Sequence, residues 1–276
     1  MATVFITGAT DGLGRAVAHR LARQGNDVIL HGRNRARLDE VAAEIGGSPV
    51  TVLADLRELS QVRRLAAEVS AATDRLDVFV SNAGIGSADA ERQVSADGYE
   101  LHFAVNYLAG FLLARELLPL LRRSAPARIV FVASLSQSPL DFENLTIERG
   151  YSGMRAYGQS KLAQIMSGFE LAGRTDATEV TVNSLHPATL MPTKMLRGHP
   201  GVDDLETGVA ATVRLATSSE LTGVTGKFYD RQREARADPQ AYDHAARARL
   251  WELSEEMASL PHSGREHTPH GTAPGG

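Results

Sequence analysis

Short runs of β-branched and other apolar residues alternate along the chain with longer stretches in which apolar residues recur every three or four positions. The first pattern marks buried strands and the second marks helices with one buried side. Strands are predicted at 2–6, 27–31, 50–53, 76–80, 127–132 and 179–185, with a weaker one near 224–229. Helices fall between them at 13–24, 35–45, 58–72, 98–121, 154–173, 203–217 and 239–258. Alternating strands and helices build βαβ units, whose right-handed crossovers set helices on both faces of a parallel sheet. The expected fold is α/β, a single-domain doubly wound parallel sheet over residues 1–258. No internal repeat or linker divides it. Residues 259–276 are rich in Gly, Pro and His without periodicity, and read as a disordered tail whose three histidines would hold metal only loosely.

Composition narrows the classes of function. A chain of 276 residues, 43% hydrophobic and 22% charged, can bury one sizeable core. The formal net charge of −4 gives no basic field to draw nucleic acid or an anionic membrane, so neither is expected as a partner. The absence of cysteine removes disulfides, thiolate catalysis and zinc–thiolate sites together, and fits a reducing compartment. No apolar run approaches the ~20 residues that span a bilayer. The start "MATVFITG" leads straight into a strand and a glycine turn, with no basic segment before it. These features lead to the expectation of a soluble cytoplasmic protein that holds no metal.

The stretch "TGATDGLG", residues 7 to 14, follows the first strand and opens the first helix. Gly8, Gly12 and Gly14 remove Cβ atoms where backbone must approach a pyrophosphate, and the helix N-terminus supplies amide donors. The turn is therefore the phosphate-binding element of a Rossmann-type fold. Its spacing is TGxxxGxG and not GxGxxG, and in this the sequence resembles the short-chain dehydrogenase/reductase family. The resemblance implies cofactor contacts from Gly8, Thr10, Asp11, Gly12, Leu13 and Gly14.

A carboxylate at the end of the second strand would hold the ribose diol of NAD and repel a 2′-phosphate, whereas an arginine would pair with that phosphate. The strand ends "LHGRN", so Arg33 favours NADP(H) over NAD(H), with Asp11 as a counter-signal. By the same resemblance Asp55 in "LADL" would accept a hydrogen bond from the adenine amino group, beside Leu56. Asn82, Ala83 and Gly84 of "SNAG" would shape the turn beneath the adenine ribose, and Asn82 reads equally well as a stabiliser of the sheet.

Tyr157 and Lys161 lie at i and i+4 on one face of a predicted helix, and Lys161 is one of three lysines against 26 arginines. A free phenol has a pKa near 10, and a neighbouring ammonium favours the phenolate. Lysine suits that task as a compact charge that can also reach a ribose hydroxyl. Upstream, the strand at 127–132 leads to Ser134, with Ser136 and Ser138 as lesser alternatives; the carboxyl ends of such strands line the ligand crevice. Asn106 sits in a long apolar helix, where a buried polar group needs a partner. The family resemblance assigns all four roles. Ser134 holds the substrate carbonyl, Tyr157 moves the proton, Lys161 lowers the tyrosine pKa and binds ribose, and Asn106 holds a relay water.

After the sixth strand comes "NSLHPATLMPTKM", where the family has Pro-Gly and this chain has Pro187 followed by Ala188. Pro187 and Thr189 are the expected cofactor contacts, with Thr193 the alternative to Thr189, and His186 reads as a core residue. Residues 188–204 look like a substrate lid. The 23-residue separation of Ser134 from Tyr157, with "GKFYD" and "ARLWELSEEM" near the end, is similar to the retinol-dehydrogenase-like and protochlorophyllide-reductase-like members. That resemblance implies a bulky, rather apolar substrate.

The expected activity is an NAD(P)H-dependent oxidoreductase that moves hydride between nicotinamide and a carbonyl or alcohol, most simply a ketoreductase, and the arginine- and alanine-rich composition would suit secondary metabolism. Two alternatives share parts of the pattern: a non-catalytic NAD(P) sensor, and a sugar-nucleotide epimerase or dehydratase, which also carries a Tyr-xxx-Lys helix. The resemblance permits a homodimer or homotetramer paired through the helices carrying Asn106 and Tyr157.

Overall fold

The structure, a computed structural model, describes residues 1–86, 91–191 and 202–259. The strands are β1 (Thr3–Ile6), β2 (Asp27–Gly32), β3 (Val50–Leu53), β4 (Val78–Ser81), β5 (Ala127–Val132), β6 (Val180–His186), β7 (Lys227–Asp230) and β8 (Arg233–Ala235). They form one sheet in the order β3-β2-β1-β4-β5-β6-β7-β8, parallel except for β8, which pairs antiparallel with β7. Strand order reverses between β1 and β4, and at such a switch point the carboxyl ends of the strands open a crevice.

Alternation along each strand builds two cores. In β1, Val4 and Ile6 face a layer with α1 (Gly12–Arg23), α2 (Arg35–Ile45) and α6 (Leu205–Thr217). Phe5 points the other way, into a core with α3 (Leu59–Ala72), α4 (Ala109–Arg123), α5 (Gly153–Gly173) and α7 (His244–Ser259). There Phe5 stacks on Phe79 at 5.4 Å. Helices thus cover both faces, as expected of a doubly wound sheet.

The seven predicted strands and seven predicted helices are present, with four differences. β8, only "REA", carries no apolar period to betray it. The helix expected from 98 begins later, because Gly98 turns at φ +87 and Glu100 accepts the Phe103 N–H at 2.8 Å. Its first full turns, Phe103–Leu108, are π-helical and lead into α4. The stretch 239–258 splits into a 3₁₀ turn at Pro239–Tyr242 and α7, because Asp243 accepts the N–H groups of Ala245 and Ala246 at 2.9 and 3.1 Å. Finally, Phe103–Arg123 is a 21-residue helical stretch long and apolar enough to cross a bilayer, contrary to the expectation that no run approaches that length. It is 78% buried inside the fold, which makes it a core helix here.

α7 lies along α4 and α5. Trp251 meets the Phe111 ring edge-on at 4.9 Å, Tyr107 Oη bonds Ser254 Oγ at 2.6 Å, and the Arg174 guanidinium lies 4.6 Å above Trp251. From Gly158 to Ala172, α5 has no exposed residue. A face of α5 for pairing with a second copy, implied by the family resemblance, is therefore covered by the chain itself. Of the expected tail at 259–276, Ser259 still belongs to α7, and 260–276 lie outside the described residues.

Candidate active site

The glycine turn sits between β1 and α1. Gly8 and Gly12 adopt φ +67 and +49, the left-handed region in which a side chain is strained. A Cβ on Gly14 would lie 2.2 Å from Gly8 O and 2.4 Å from Asn82 Nδ2, so only glycine fits there. The first amides of a helix lack intrahelical acceptors and carry the positive end of its dipole. Bare backbone that a Cβ would fill, set at a helix N-terminus, fits a diphosphate.

The surrounding residues lock this turn. Thr7 Oγ1 accepts the N–H groups of Asn82 and Ala83, each at 3.0 Å, while Asn82 Nδ2 donates to Thr7 O at 2.9 Å. Asn82 thus ties β1 to β4, the stabilising one of its two expected roles. His31, which sequence reasoning passed over, is buried in β2; its Nδ1 accepts the Gly8 N–H at 3.2 Å and its Nε2 lies 3.1 Å from Ala54 O. Burial lowers its pKa to about 4, so the neutral ring holds the turn.

At the adenosine end Arg33 is exposed after β2, where expected. Asp11 caps α1 by accepting the Gly12 N–H at 2.9 Å, and Arg37 Nη1 stands 3.5 Å from its other oxygen. Arg37, hidden in "RNRAR", therefore offsets the counter-signal that Asp11 gave. The Thr10 methyl packs against Gly32, where a Cβ would lie 2.4 Å away. Asp55 follows β3, and its carboxylate is gripped by Arg57 Nη2 at 2.7 Å, which with Arg33 holds it below the usual carboxylate range despite the opposing effect of burial. Leu13 and Leu56 are buried core side chains, leaving only their backbone for a ligand.

The four expected catalytic residues converge at the other end of the crevice. Ser134, at the end of β5, is 7% exposed; its Oγ accepts the Ser136 N–H at 3.0 Å, and its hydroxyl is close enough to Tyr157 on α5 to favour the phenolate. Ser138 packs instead against Gly158, where a Cβ would meet its Oγ at 2.4 Å. Lys161 is fully buried, with Nζ 5.7 Å from the Tyr157 ring centroid; it donates to Val132 O at 3.0 Å and Gln164 Oε1 at 2.9 Å. Asn106, in the π-helical turn, accepts the Ile85 N–H at 2.7 Å and donates to Ile85 O and Ser160 Oγ, each at 3.0 Å. Ser160 Oγ donates in turn to Tyr157 O at 2.7 Å. A Cβ on Gly84 would stand 3.3 Å from Asn106 Oδ1 and 3.5 Å from Lys161 Nζ, so the turn after β4 floors the same site.

One expectation needs correction. Lys161 does not depress Tyr157 in the protein alone. Burial raises the phenol above its ordinary value, opposed only by the nearby Ser134 hydroxyl. Burial also drives Lys161 down to about 7, so desolvation overrides the pairing expected of a full cation beside the ring.

Sequence reasoning also missed Gln164, one turn beyond Lys161, and His102, which is buried against Glu100 (Nδ1 to Oε1, 2.8 Å) and meets the Tyr157 ring edge-on at 6.4 Å. The spacing of His102 four residues before Asn106 was the available signal. His102 and Glu100 line a cavity of about 140 Å³ with Ile85, Gly86 and Tyr151.

Beyond β6, Pro187 and Ala188 are buried, and Ala188 faces Gly208 of α6, where a Cβ would lie 3.6 Å away. Thr189 Oγ1 lies 3.0 Å from His186 Nε2. Thr193 and most of the expected lid, residues 192–201, lie outside the described residues.

A family model described as short chain dehydrogenase matches residues 2–200. The chain is similar to human retinol dehydrogenase 14, 36% identical over 292 residues, covering 94% of this chain and 86% of that protein. It is 38% identical over 269 residues to a Streptomyces protein named "Putative daunorubicin C-13 ketoreductase DnrU", covering 91% of each. Among solved structures, the Pseudomonas aeruginosa RhlG/NADP active-site complex superposes with a TM-score of 0.69 at 26% identity, over 83% of this chain and 94% of that one.

Proposed function

The chain belongs to the short-chain dehydrogenase/reductase family, an NAD(P)-dependent oxidoreductase acting between CH–OH and C=O, and from this premise we propose that it is an NADPH-using reductase of bulky, rather apolar ketones or aldehydes. The observation that carries this reading is the meeting of Ser134, Tyr157, Lys161 and Asn106 at one end of a crevice whose other end is a glycine turn.

The bound nicotinamide would supply or accept the hydride. Gly8, Gly12, Gly14 and the α1 N-terminus would hold its diphosphate, and Lys161 would hold the adjoining ribose. Ser134 positions the substrate oxygen by hydrogen bonding. Tyr157 gives that oxygen its proton in the reductive direction and takes it back in the other. Burial and the raised pKa keep Tyr157 protonated at neutral pH, the form that can give a proton, although as a weaker acid than a free phenol. Burial brings Lys161 to about 7, so at pH 7 it is divided between its charged and neutral forms beside the Tyr157 ring, and Asn106 holds the Ile85 backbone and Ser160, whose hydroxyl donates to Tyr157 O.

Arg33 and Arg37 beside Asp11 support the preference for NADPH, as does the likeness to the Pseudomonas aeruginosa complex with NADP. For the substrate, the support is an apolar fringe on segments that border the crevice: Leu135 after Ser134, Met154 at the start of α5, and Leu190 and Val202 beyond β6 are all exposed. The two sequence relatives, named for retinol and for the C-13 position of daunorubicin, agree with it. The test is consumption of NADPH against NADH over a panel of bulky ketones, quinones and aldehydes. Turnover with NADPH well above NADH is expected. Tight cofactor binding without turnover of any carbonyl would favour a sensor instead.

A further inference from the structure

Beyond β6 a ring of hydrogen bonds joins residues that the catalytic reading leaves unused. Thr189 donates its backbone N–H to Asp203 Oδ2 at 2.6 Å, and Asp203 returns its own N–H to Thr189 O at 3.0 Å. Arg231, immediately after β7, grips the same carboxylate oxygen through Nε at 3.0 Å and Nη2 at 2.5 Å. The Nη2 group also donates to Thr189 Oγ1 at 3.2 Å, and the Arg231 N–H is held by His186 O at 2.7 Å. Arg231 adopts φ +53, a conformation that a non-glycine residue keeps only when its surroundings impose it. Asp230 Oδ1 binds the remaining terminal nitrogen at 2.8 Å.

This ring decides what the Thr189 hydroxyl can still do. One lone pair accepts from Arg231. Burial favours a neutral His186, and in the tautomer whose Nε2 accepts, the Thr189 proton is directed there. One lone pair remains, suited to an amide N–H donor, which the nicotinamide carboxamide carries.

We infer that Arg231 is a positioning residue for the nicotinamide end of the cofactor, fixing Thr189 both through Asp203 and through the hydroxyl itself. The inference rests on the dinucleotide reading above. It differs from a general stabilising role because, among the described residues, the adenosine end of the crevice at Arg33, Arg37 and Asp55 shares no hydrogen bond or ion pair with this ring.

The test is calorimetric binding of NADPH and of 2′,5′-ADP, which lacks the nicotinamide, to the parent chain, Arg231→Ala and Arg231→Lys. In Arg231→Ala the affinity for NADPH should fall about 10-fold, the scale of a lost charged hydrogen bond, while that for 2′,5′-ADP stays unchanged. Arg231→Lys should recover part of the loss, because an ammonium reaches Asp203 as a point charge but cannot serve Thr189 at the same time. Unchanged NADPH affinity in Arg231→Ala, or equal weakening of both ligands, would overturn the inference. Failure of the parent chain to bind either ligand would defeat the dinucleotide reading and the inference with it.

Discussion

The two ends of the crevice recognise their halves of a ligand by different means. At the glycine turn the work is done by backbone: positive φ at Gly8 and Gly12, a missing Cβ at Gly14, and side chains such as Thr7, Asn82 and His31 that only brace the main chain. At the catalytic end it is done by buried polar side chains: Tyr157 beside Ser134, Lys161 on Gln164 and Val132, Asn106 on Ile85 and Ser160. Backbone recognition fails through shape, whereas side-chain recognition fails through chemistry. A substitution in the glycine turn should therefore damage affinity and stability together, and one at Tyr157 turnover alone.

The largest expected effect is at the chemical end. Tyr157→Phe removes the proton donor and leaves the turn intact, so turnover should fall by ~10² to 10⁴-fold, about 3 to 5 kcal/mol of barrier, with cofactor affinity unchanged in a titration. Near-normal turnover would dissolve the contrast. At the other end, Gly14→Ala forces a methyl into Gly8 O, and should lower unfolding stability by about 3 kcal/mol in a denaturant titration and weaken cofactor binding in parallel. Full affinity in that variant would show that the backbone is not what binds.

The smallest effect sharpens the contrast by pH. His31 has a folded pKa of about 4 against an ordinary 6.5, so the unfolded chain binds more protons across that interval and stability rises with pH through it. The contribution is complete above about pH 7 and is lost as pH falls toward 4, amounting to about 2 kcal/mol between pH 7.5 and 5. Thermal melting of the parent chain and of His31→Asn, which can mimic the neutral ring, should diverge over this window. Parallel melting profiles would remove His31 from the account of the turn.

The same contrast explains what could be read from the residues in order. Strands and helices announced themselves because each buries a face at a fixed period, and the glycine turn announced itself because backbone demands are written as glycines at fixed spacing. Tyr157 and Lys161 share one helical face, so their pairing was legible as well. Gln164 was equally close and simply unread. The π-helical turn around Asn106 leaves no period of its own. His31 meets Gly8 across 23 residues, and Arg231 meets Asp203 across 28 and Thr189 across 42. Those partnerships exist only once the sheet has brought distant loops together. The direction of the Tyr157 shift was misread for a related reason: the penalty of removing two groups from water depends on everything packed around them.

The placement of α7 bears on how this protein behaves in dilute solution. Trp251, Ser254 and their neighbours brace, from within the same polypeptide, the helical stretch that carries Asn106, through Phe111 and Tyr107. Each copy therefore carries that part of its scaffold for chemistry within its own chain.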